Sequence, residues 1–255
     1  MSAKHSVDTR PEDLVAGAET GARQATGWAG SVLPAVALAW ALFQLWHASP
    51  LPYLLDFGVF NSTQARSIHL AFALFLAYIA FPARRRSPTD RIPWSDWLLG
   101  LAGAFAAAYI LLFYEQLSAR AGAPTTQDVI VAVVGMVLLL EATRRALGPP
   151  LMAVALVFLV YTFAGPYMPD VIAHRGASLG RAMSHQWLTT EGVFGVALGV
   201  STSFVFLFVL FGGLLERAGA GHYFIRLAYA LLGHYRGGPA KAAVVASGLS
   251  GMVSG

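Results

Sequence analysis

The sequence predicts an all-α protein that crosses a lipid bilayer several times. Hydrophobic residues make up 56% of the 255 residues and charged residues only 12%, whereas an ordinary soluble domain carries about 25% charged residues. The apolar residues lie in blocks of up to about 20 residues, the length that a helix needs to cross a hydrocarbon core roughly 30 Å thick. The pI of about 9.6 comes from short Lys and Arg clusters between the blocks. This pattern is typical of membrane orientation rather than of a nucleic-acid surface.

Six apolar blocks predict about six transmembrane helices. They cover residues 29–48, 67–82, 97–114, 128–147, 151–168 and 192–215. The first block follows a polar tail, residues 1–28, for which we predict disorder. Because this block is too long for the core of a signal peptide, we interpret it as an uncleaved anchor. Gly148-Pro149-Pro150 separates the fourth block from the fifth, since proline cannot continue the preceding helix.

The distribution of basic residues predicts the orientation in the membrane. With a cytoplasmic N-terminus and alternating spans, 13 of the 17 Lys and Arg residues fall in segments on the cytoplasmic side. The opposite orientation would invert this bias, and the positive-inside rule disfavours it. We therefore predict a multi-pass protein with its N-terminus in the cytoplasm.

Residues 221–234 predict a short amphipathic helix. Apolar residues recur at helical spacing from Phe224 to Leu232, while His222 and Arg226 lie on another face. The segment is too short to span a bilayer, so we predict a helix that lies in the membrane interface. A cytoplasmic helix packed on a soluble partner is the alternative.

Residues 237–255 are apolar overall but rich in glycine and serine. Small residues favour close packing of helices, and on composition alone a packing face is the simpler interpretation. The alternative is a helix that breaks at a glycine and exposes backbone carbonyls, which membrane proteins tolerate only in a cavity or inside the protein. Serine hydroxyls and such carbonyls are hard oxygen ligands suited to sodium, and a helix N-terminus suits a carboxylate.

Several motifs, taken in order, resemble a single transporter family. The following stretches resemble the large membrane subunit of tripartite ATP-independent periplasmic (TRAP) transporters: residues 207–219 (LFVLFGGLLERAG), 231–241 (LLGHYRGGPAK), 245–247 (VAS) and 254–255 (SG). Three further stretches look more like the fused permeases of that family, in which a small four-helix subunit precedes the large one: residues 141–151 (EATRRALGPPL), 173–176 (AHRG) and 189–195 (TTEGVFG).

The resemblance implies a secondary active permease component of the bacterial inner membrane, and not an enzyme. A periplasmic binding protein, of the TAXI class in the fused permeases, would deliver a small organic anion such as a carboxylate. An ion gradient, usually sodium, would drive its import, and no other cofactor is implied. The implied fold is an elevator-type carrier, of which this chain would be an N-terminal fragment ending in the first half of a re-entrant hairpin.

The resemblance also implies a division of the chain and a candidate site. Residues 29–148 would form a small-subunit-like (DctQ-like) four-helix bundle that stays fixed, and residues 149–255 would begin the large-subunit-like (DctM-like) transport domain. The last two residues match the start of the serine- and glycine-containing tip of the hairpin, and the others lie in the turns before it. The candidate substrate- and ion-binding residues are Ser247, Ser250, Gly251, Ser254 and Gly255.

Glu141 lies inside the fourth block, where an unpaired carboxylate is costly. Arg144 and Arg145 follow at i+3 and i+4, so we predict a structural ion pair rather than a proton-coupling site. Two other functions stay open: a membrane-embedded lipid-modifying enzyme and a passive assembly subunit. The enzyme would depend on His174, which has no acid–base partner at convincing spacing. Cysteine is absent, and the sequence contains neither a HExxH motif nor a Walker-type loop.

Overall fold

A computed structural model describes residues 21–23, 25–84 and 87–254, with the backbone alone at 252–254. Within these residues every regular element is helical, which confirms the predicted all-α class. Four helices of the described part are long and apolar enough to cross a membrane: Trp28–Ala48, Trp94–Leu112, Pro149–Tyr167 and Val196–Arg217. Large apolar side chains are exposed along all four, as expected of surfaces that face lipid.

The helices are numbered in chain order as follows: α1 Trp28–Ala48, α2 Leu51–Leu55, α3 Ser62–Ala80, α4 Trp94–Leu112, α5 Tyr114–Ala119, α6 Thr126–Leu147, α7 Pro149–Ala164, α8 Leu179–Leu188, α9 Val196–Val200, α10 Phe206–Arg217, α11 Ala220–Leu232 and α12 Gly238–Ser254. A 3₁₀ turn, Gly165–Tyr167, follows α7, and a π-helical turn, Ser201–Val205, joins α9 to α10.

Two of the six predicted spans, now α3 and α6, are not among the four apolar helices. Both are long enough, at 19 and 22 residues, but α3 carries Arg66 and His69, and α6 carries Asp128 and Glu141. Four of the six predicted spans therefore qualify by length and composition, and a membrane crossing by α3 and α6 stays a prediction. The polar side chains of α3 and α6 bond to other parts of the protein, as described below.

Side-chain caps move the starts of α3 and α6 ahead of the apolar blocks. Asn61 accepts a hydrogen bond from the backbone of Gln64, whose side chain bonds back to Asn61, and α3 begins at Ser62 instead of residue 67. Thr125 and Asp128 form the same reciprocal arrangement at the start of α6. Such capping boxes satisfy backbone N–H groups that the first turn of a helix leaves unpaired.

The first of two compact units comprises residues up to 40 together with 58–198. Helix α4 packs along α3. Gly100 and Gly103 of α4 lie against Tyr78 and Leu74, and because glycine has no side chain the two helices approach closely. Helix α6 packs on this pair, and the amphipathic helix α8 packs on α6. The largest apolar side chains that are fully buried are Trp187, Tyr78, Phe194, Leu74 and Ile79.

The second compact unit comprises residues 41–57 and 199–255. In it, α11 and α12 form a helical hairpin that closes on Ala228, Ala242 and Ala246, all three buried. The predicted interfacial segment is therefore helical, and its buried alanine faces α12. The boundaries of the two compact units differ from the predicted division at residue 148. That division separates the small-subunit-like part from the large-subunit-like part, and it stays a prediction.

Most of the predicted tail lies outside the described residues, as do Arg85, Arg86 and the site candidate Gly255. The described end of the tail packs on the first unit. The backbone N–H of Arg23 donates to the carbonyl of Ala80 at 2.7 Å, and the Thr26 N–H donates to the carbonyl of Asp90 at 3.0 Å. This short strap runs beside the end of α3.

Candidate functional site

The structure places the candidate residues of the last segment on one helix. Ser247, Ser250 and Gly251 lie within α12 at i, i+3 and i+4, so they share one face. Ser254 is the last residue of α12. The helix runs unbroken through its glycines, so a break of the kind considered from the sequence does not occur within Gly238–Ser254.

The hairpin of α11 and α12 separates the packing face from the candidate face. Ala242 and Ala246 are buried against Ala228, whereas Ser247 and Gly251 are exposed. The small residues used for helix packing in this unit are thus alanines, and the face with the hydroxyl group of Ser247 is left open. The binding role of the Ser and Gly residues stays a prediction.

A π-helical turn lies within the apolar stretch Val196–Arg217, at Ser201–Val205. The buried side chain of Gln44, from α1, donates through Nε2 to the carbonyl of Thr202 at 3.0 Å. π turns free backbone carbonyls and occur often at functional sites. The sequence signals for this contact are a glutamine inside the first apolar block and the run Ser201-Thr202-Ser203 inside another, and neither was recognised.

Glu141 forms a compact ionic cluster near the end of α6. Its carboxylate accepts two hydrogen bonds from Arg144, both of 2.7 Å, and one of 2.8 Å from Arg145 Nε. Arg144 also donates to the carbonyl of Ala83 at 2.8 Å, which ties α6 to the segment after α3. Both predicted partners thus lie within hydrogen-bonding distance of Glu141.

The cluster continues into a buried network that sequence reasoning missed. Asp96 accepts from Arg145 Nη1 at 2.8 Å and also pairs with Arg23. Arg23 donates in addition to the carbonyls of Tyr78 and Ile79, at the end of α3, where the helix macrodipole favours a cation. The guanidinium of Arg145 lies 4.7 Å from the centre of the Tyr78 ring. Ion pairs and hydrogen bonds of these side chains thus join the ends of α3 and α6 to the start of α4.

The opposite end of the first unit contains a second polar cluster and an open cavity. The buried carboxylate of Asp128 accepts from the Tyr109 hydroxyl at 2.7 Å and from Arg120 at 2.9 Å and 3.1 Å. A cavity of about 510 Å³ opens beside it, with Arg181 and His185 in its lining. Its lining is thus mixed, with basic groups next to hydroxyl and apolar ones.

The stretch 189–195 is anchored to the helical bundle from two sides. Arg66 of α3 donates to the carbonyls of Phe194 and Gly195, at 2.8 Å and 3.3 Å. The indole of Trp187 is fully buried and donates to the carbonyl of Ala106 at 3.0 Å. The segment that precedes α9 is therefore fixed on helices α3 and α4.

Two of the described histidines, His69 and His174, have hydrogen-bond partners within the protein. His174 Nδ1 accepts from the Gly176 N–H at 3.1 Å, and Nε2 lies 3.0 Å from the Tyr161 carbonyl, so this nitrogen carries the proton and donates. These two bonds hold the imidazole ring of His174 in one orientation. His69 accepts from the Trp40 indole at 3.1 Å. Among the described residues no group of three or more His, Asp or Glu side chains could hold a metal ion.

Comparison with known families finds one match. The family model described as the tripartite ATP-independent periplasmic transporter, DctM component, matches residues 134–255. The match confirms the predicted resemblance over this part of the chain, and it points to a transporter component, not to an enzyme family. The matched range begins within α6 and includes every candidate residue on α12. No curated protein and no solved structure matches the chain.

Proposed function

We propose that this chain, whose residues 134–255 match the DctM component of TRAP transporters, is the permease component of a secondary active transporter that imports small organic anions. A sodium gradient drives the import. The family match carries the proposal, and the apolar helices agree with it, because the stretches Pro149–Tyr167 and Val196–Arg217 within the matched range are long enough to span a bilayer.

The proposed substrate and ion site is the far end of α12. One helix carries the hydroxyl groups of Ser247, Ser250 and Ser254. Gly251, on the same helix, would let a ligand approach the backbone closely, and Gly255 follows the helix in the sequence. Sodium is a hard cation that prefers oxygen ligands, as calcium and magnesium do. Support comes from the exposed Ser247 and Gly251, which the hairpin with α11 does not use for packing.

The proposed location is the bacterial inner membrane, with the N-terminus in the cytoplasm. The end of the first unit that carries Arg23, Arg144 and Arg145 would then face the cytoplasm, in agreement with the positive-inside rule. The cavity lined by Arg181 and His185 would face the periplasm. This is the side from which a binding protein, of the TAXI class by our proposal, would deliver the anion.

The part of the predicted bundle, residues 29–148, that lies in the first unit is proposed to act as a fixed scaffold. Its buried charge network and the fully buried Trp187 bind helices α3, α4, α6 and α8 to one another. A packed, hydrogen-bonded body of this kind opposes rearrangement, because its charges would have to separate in a nonpolar environment. We propose that the moving part is the segment from residue 237, which lies in the second unit.

The site assignment predicts the effect of a bulky residue at position 254. Replacing Ser254 with leucine should reduce sodium-dependent uptake by the complete gene product at least tenfold, since the larger side chain removes an oxygen ligand and fills the space beside it. The measurement is uptake of [¹⁴C]succinate and [¹⁴C]glutamate as a function of sodium concentration, in cells of a gene-disrupted strain complemented with each variant.

Val245→Leu is the matched control for this prediction. Val245 is exposed on the same helix and lies nine positions before Ser254. At 3.6 residues per turn the two residues lie on opposite sides of the helix. Its replacement should leave uptake and sodium dependence unchanged at equal amounts of protein in the membrane. Unchanged uptake and sodium affinity in the Ser254→Leu variant would remove Ser254 from the site.

A further inference from the structure

One end of the first unit gathers basic and aromatic side chains that do not bond to Asp96. Arg84 and Arg91, in the connection from α3 to α4, are exposed, and Arg144 is half-buried beside them through its bond to Ala83. Trp28 and Trp94, the first residues of α1 and α4, are also exposed. We call Arg84, Arg91, Arg144, Trp28 and Trp94 the basic collar.

Two of the three carboxylates near the collar are already paired with arginines, and the third, Asp90, has an exposed side chain. Asp96 pairs with Arg23 and Arg145, and Glu141 pairs with Arg144 and Arg145. Within the described residues no carboxylate lies within ion-pair distance of Arg84 or Arg91 in the structure. Arg84 and Arg91 together outweigh the single charge of Asp90, so the collar presents net positive charge to its surroundings.

The tryptophans fix the level of the collar relative to lipid. Trp28 and Trp94 are 73% and 75% exposed, and each begins a helix that is long and apolar enough to span the bilayer. The Trp28 ring stacks on Trp97 with 5.6 Å between centroids. Tryptophan at the end of a spanning helix is typical of the headgroup level of a membrane. The arginines of the collar thus lie where lipid phosphates are, next to the hydrocarbon boundary.

We propose that the basic collar binds the headgroups of anionic phospholipids. The planar guanidinium of arginine donates two parallel hydrogen bonds to a phosphate, and exposed arginines near an anionic surface gain attraction from each negative lipid. The exposed indoles supply the second half of the recognition, because they contact the glycerol and upper acyl region of the same lipid. This inference requires only that the chain spans a membrane and is independent of the proposed transport activity.

The test measures lipid retention directly. The full chain is purified in detergent, incubated with equal amounts of phosphatidylglycerol and phosphatidylcholine, and analysed by native mass spectrometry. The unchanged protein should retain phosphatidylglycerol in preference to phosphatidylcholine. The double variant Arg84→Gln/Arg91→Gln should bind phosphatidylglycerol roughly 25-fold more weakly, at about fivefold for each arginine removed. Arg84→Lys/Arg91→Lys, which keeps the charge, should retain most of the preference.

Arg175→Gln/Arg181→Gln is the matched control, because it also removes two exposed arginines, one from the connection before α8 and one from α8 itself. It should bind phosphatidylglycerol as the unchanged protein does. An excess of sn-glycerol 3-phosphate should fail to displace the lipid, since it has no acyl chains for the indoles to contact. Equal retention of the two lipids, an equal loss in both double variants, or displacement by glycerol phosphate would each overturn the proposal.

Discussion

Replacing Trp187 with alanine should lower the free energy of unfolding by about 3–5 kcal/mol, the usual cost of removing a large buried aromatic side chain. Trp187 is fully buried, meets Phe194 edge to face at 5.6 Å, and donates to the Ala106 carbonyl at 3.0 Å. The substitution leaves a cavity and removes the hydrogen bond from the indole to Ala106. The measurement is the unfolding transition of the purified chain in detergent, followed by intrinsic fluorescence and by thermal aggregation.

Two further variants make this prediction specific. Trp94→Ala makes the same chemical change at a position that is 75% exposed and should shift the transition little. Gly135→Leu tests the same contact from α6, because any side chain at residue 135 would overlap the indole of Trp187. We expect it to destabilise the chain by at least about 1–3 kcal/mol. Similar transitions for Trp187→Ala and Trp94→Ala would show that the indole does not hold α8 in place.

Replacing Asp96 with leucine should destabilise the first unit by about 3–5 kcal/mol, because it leaves two buried guanidinium groups without their shared carboxylate. Arg23 and Arg145 are almost fully buried, and both bond to Asp96. Breaking one partner of a buried ion pair costs more than the pair itself contributes, since the remaining charge stays desolvated. The same unfolding measurement reports the loss.

Asp90→Leu is the control for Asp96, because Asp90 lies in the same region with an exposed side chain and only its backbone carbonyl bonds to Thr26. This variant should unfold close to the unchanged protein. The double variant Asp96→Leu/Arg145→Met should recover part of the loss, since one of the two buried guanidinium groups that bonded to Asp96 is gone. No recovery, or equal effects of Asp90→Leu and Asp96→Leu, would contradict the buried network.

The features that sequence reasoning predicted correctly are local or compositional. The bonds of Glu141 to Arg144 and Arg145 follow from i, i+3 and i+4 spacing on a helix. The blocks of apolar residues predicted helices because no other spanning structure fits single segments of this length. The family resemblance rested on ordered motifs in the second half of the chain, and the matched range 134–255 lies there.

The features it missed depend on residues distant in sequence. Asp96 bonds to Arg23 and Arg145, which lie 73 and 49 positions away, and nothing in the pattern around any of the three indicates the pairing. The same holds for Gln44 and Thr202, 158 positions apart. The earlier starts of α3 and α6 were missed for another reason, since apolar blocks were counted and the capping residues Asn61 and Thr125 were not.

The count of spans shows how composition can mislead. Helices α3 and α6 have the length of a span, but their polar residues pair inside the protein, as Tyr109, Arg120 and Thr125 do with Asp128. A polar side chain with protein partners can lie at membrane depth, whereas one that faces lipid cannot. Hydropathy alone therefore separates lipid-facing helices from protein-facing ones, and does not decide which helices cross the membrane.

The ion dependence of anion uptake tests the central claim most directly. Cells with the gene disrupted and complemented are loaded with [¹⁴C]succinate or [¹⁴C]glutamate, with external sodium replaced stepwise by choline. A secondary active permease predicts accumulation that requires the complemented gene and external sodium, that collapses when a sodium ionophore dissipates the gradient, and that persists when ATP synthesis is blocked while the gradient is maintained. Accumulation that ignores sodium and its gradient, or that stops as soon as ATP is exhausted, would contradict the account.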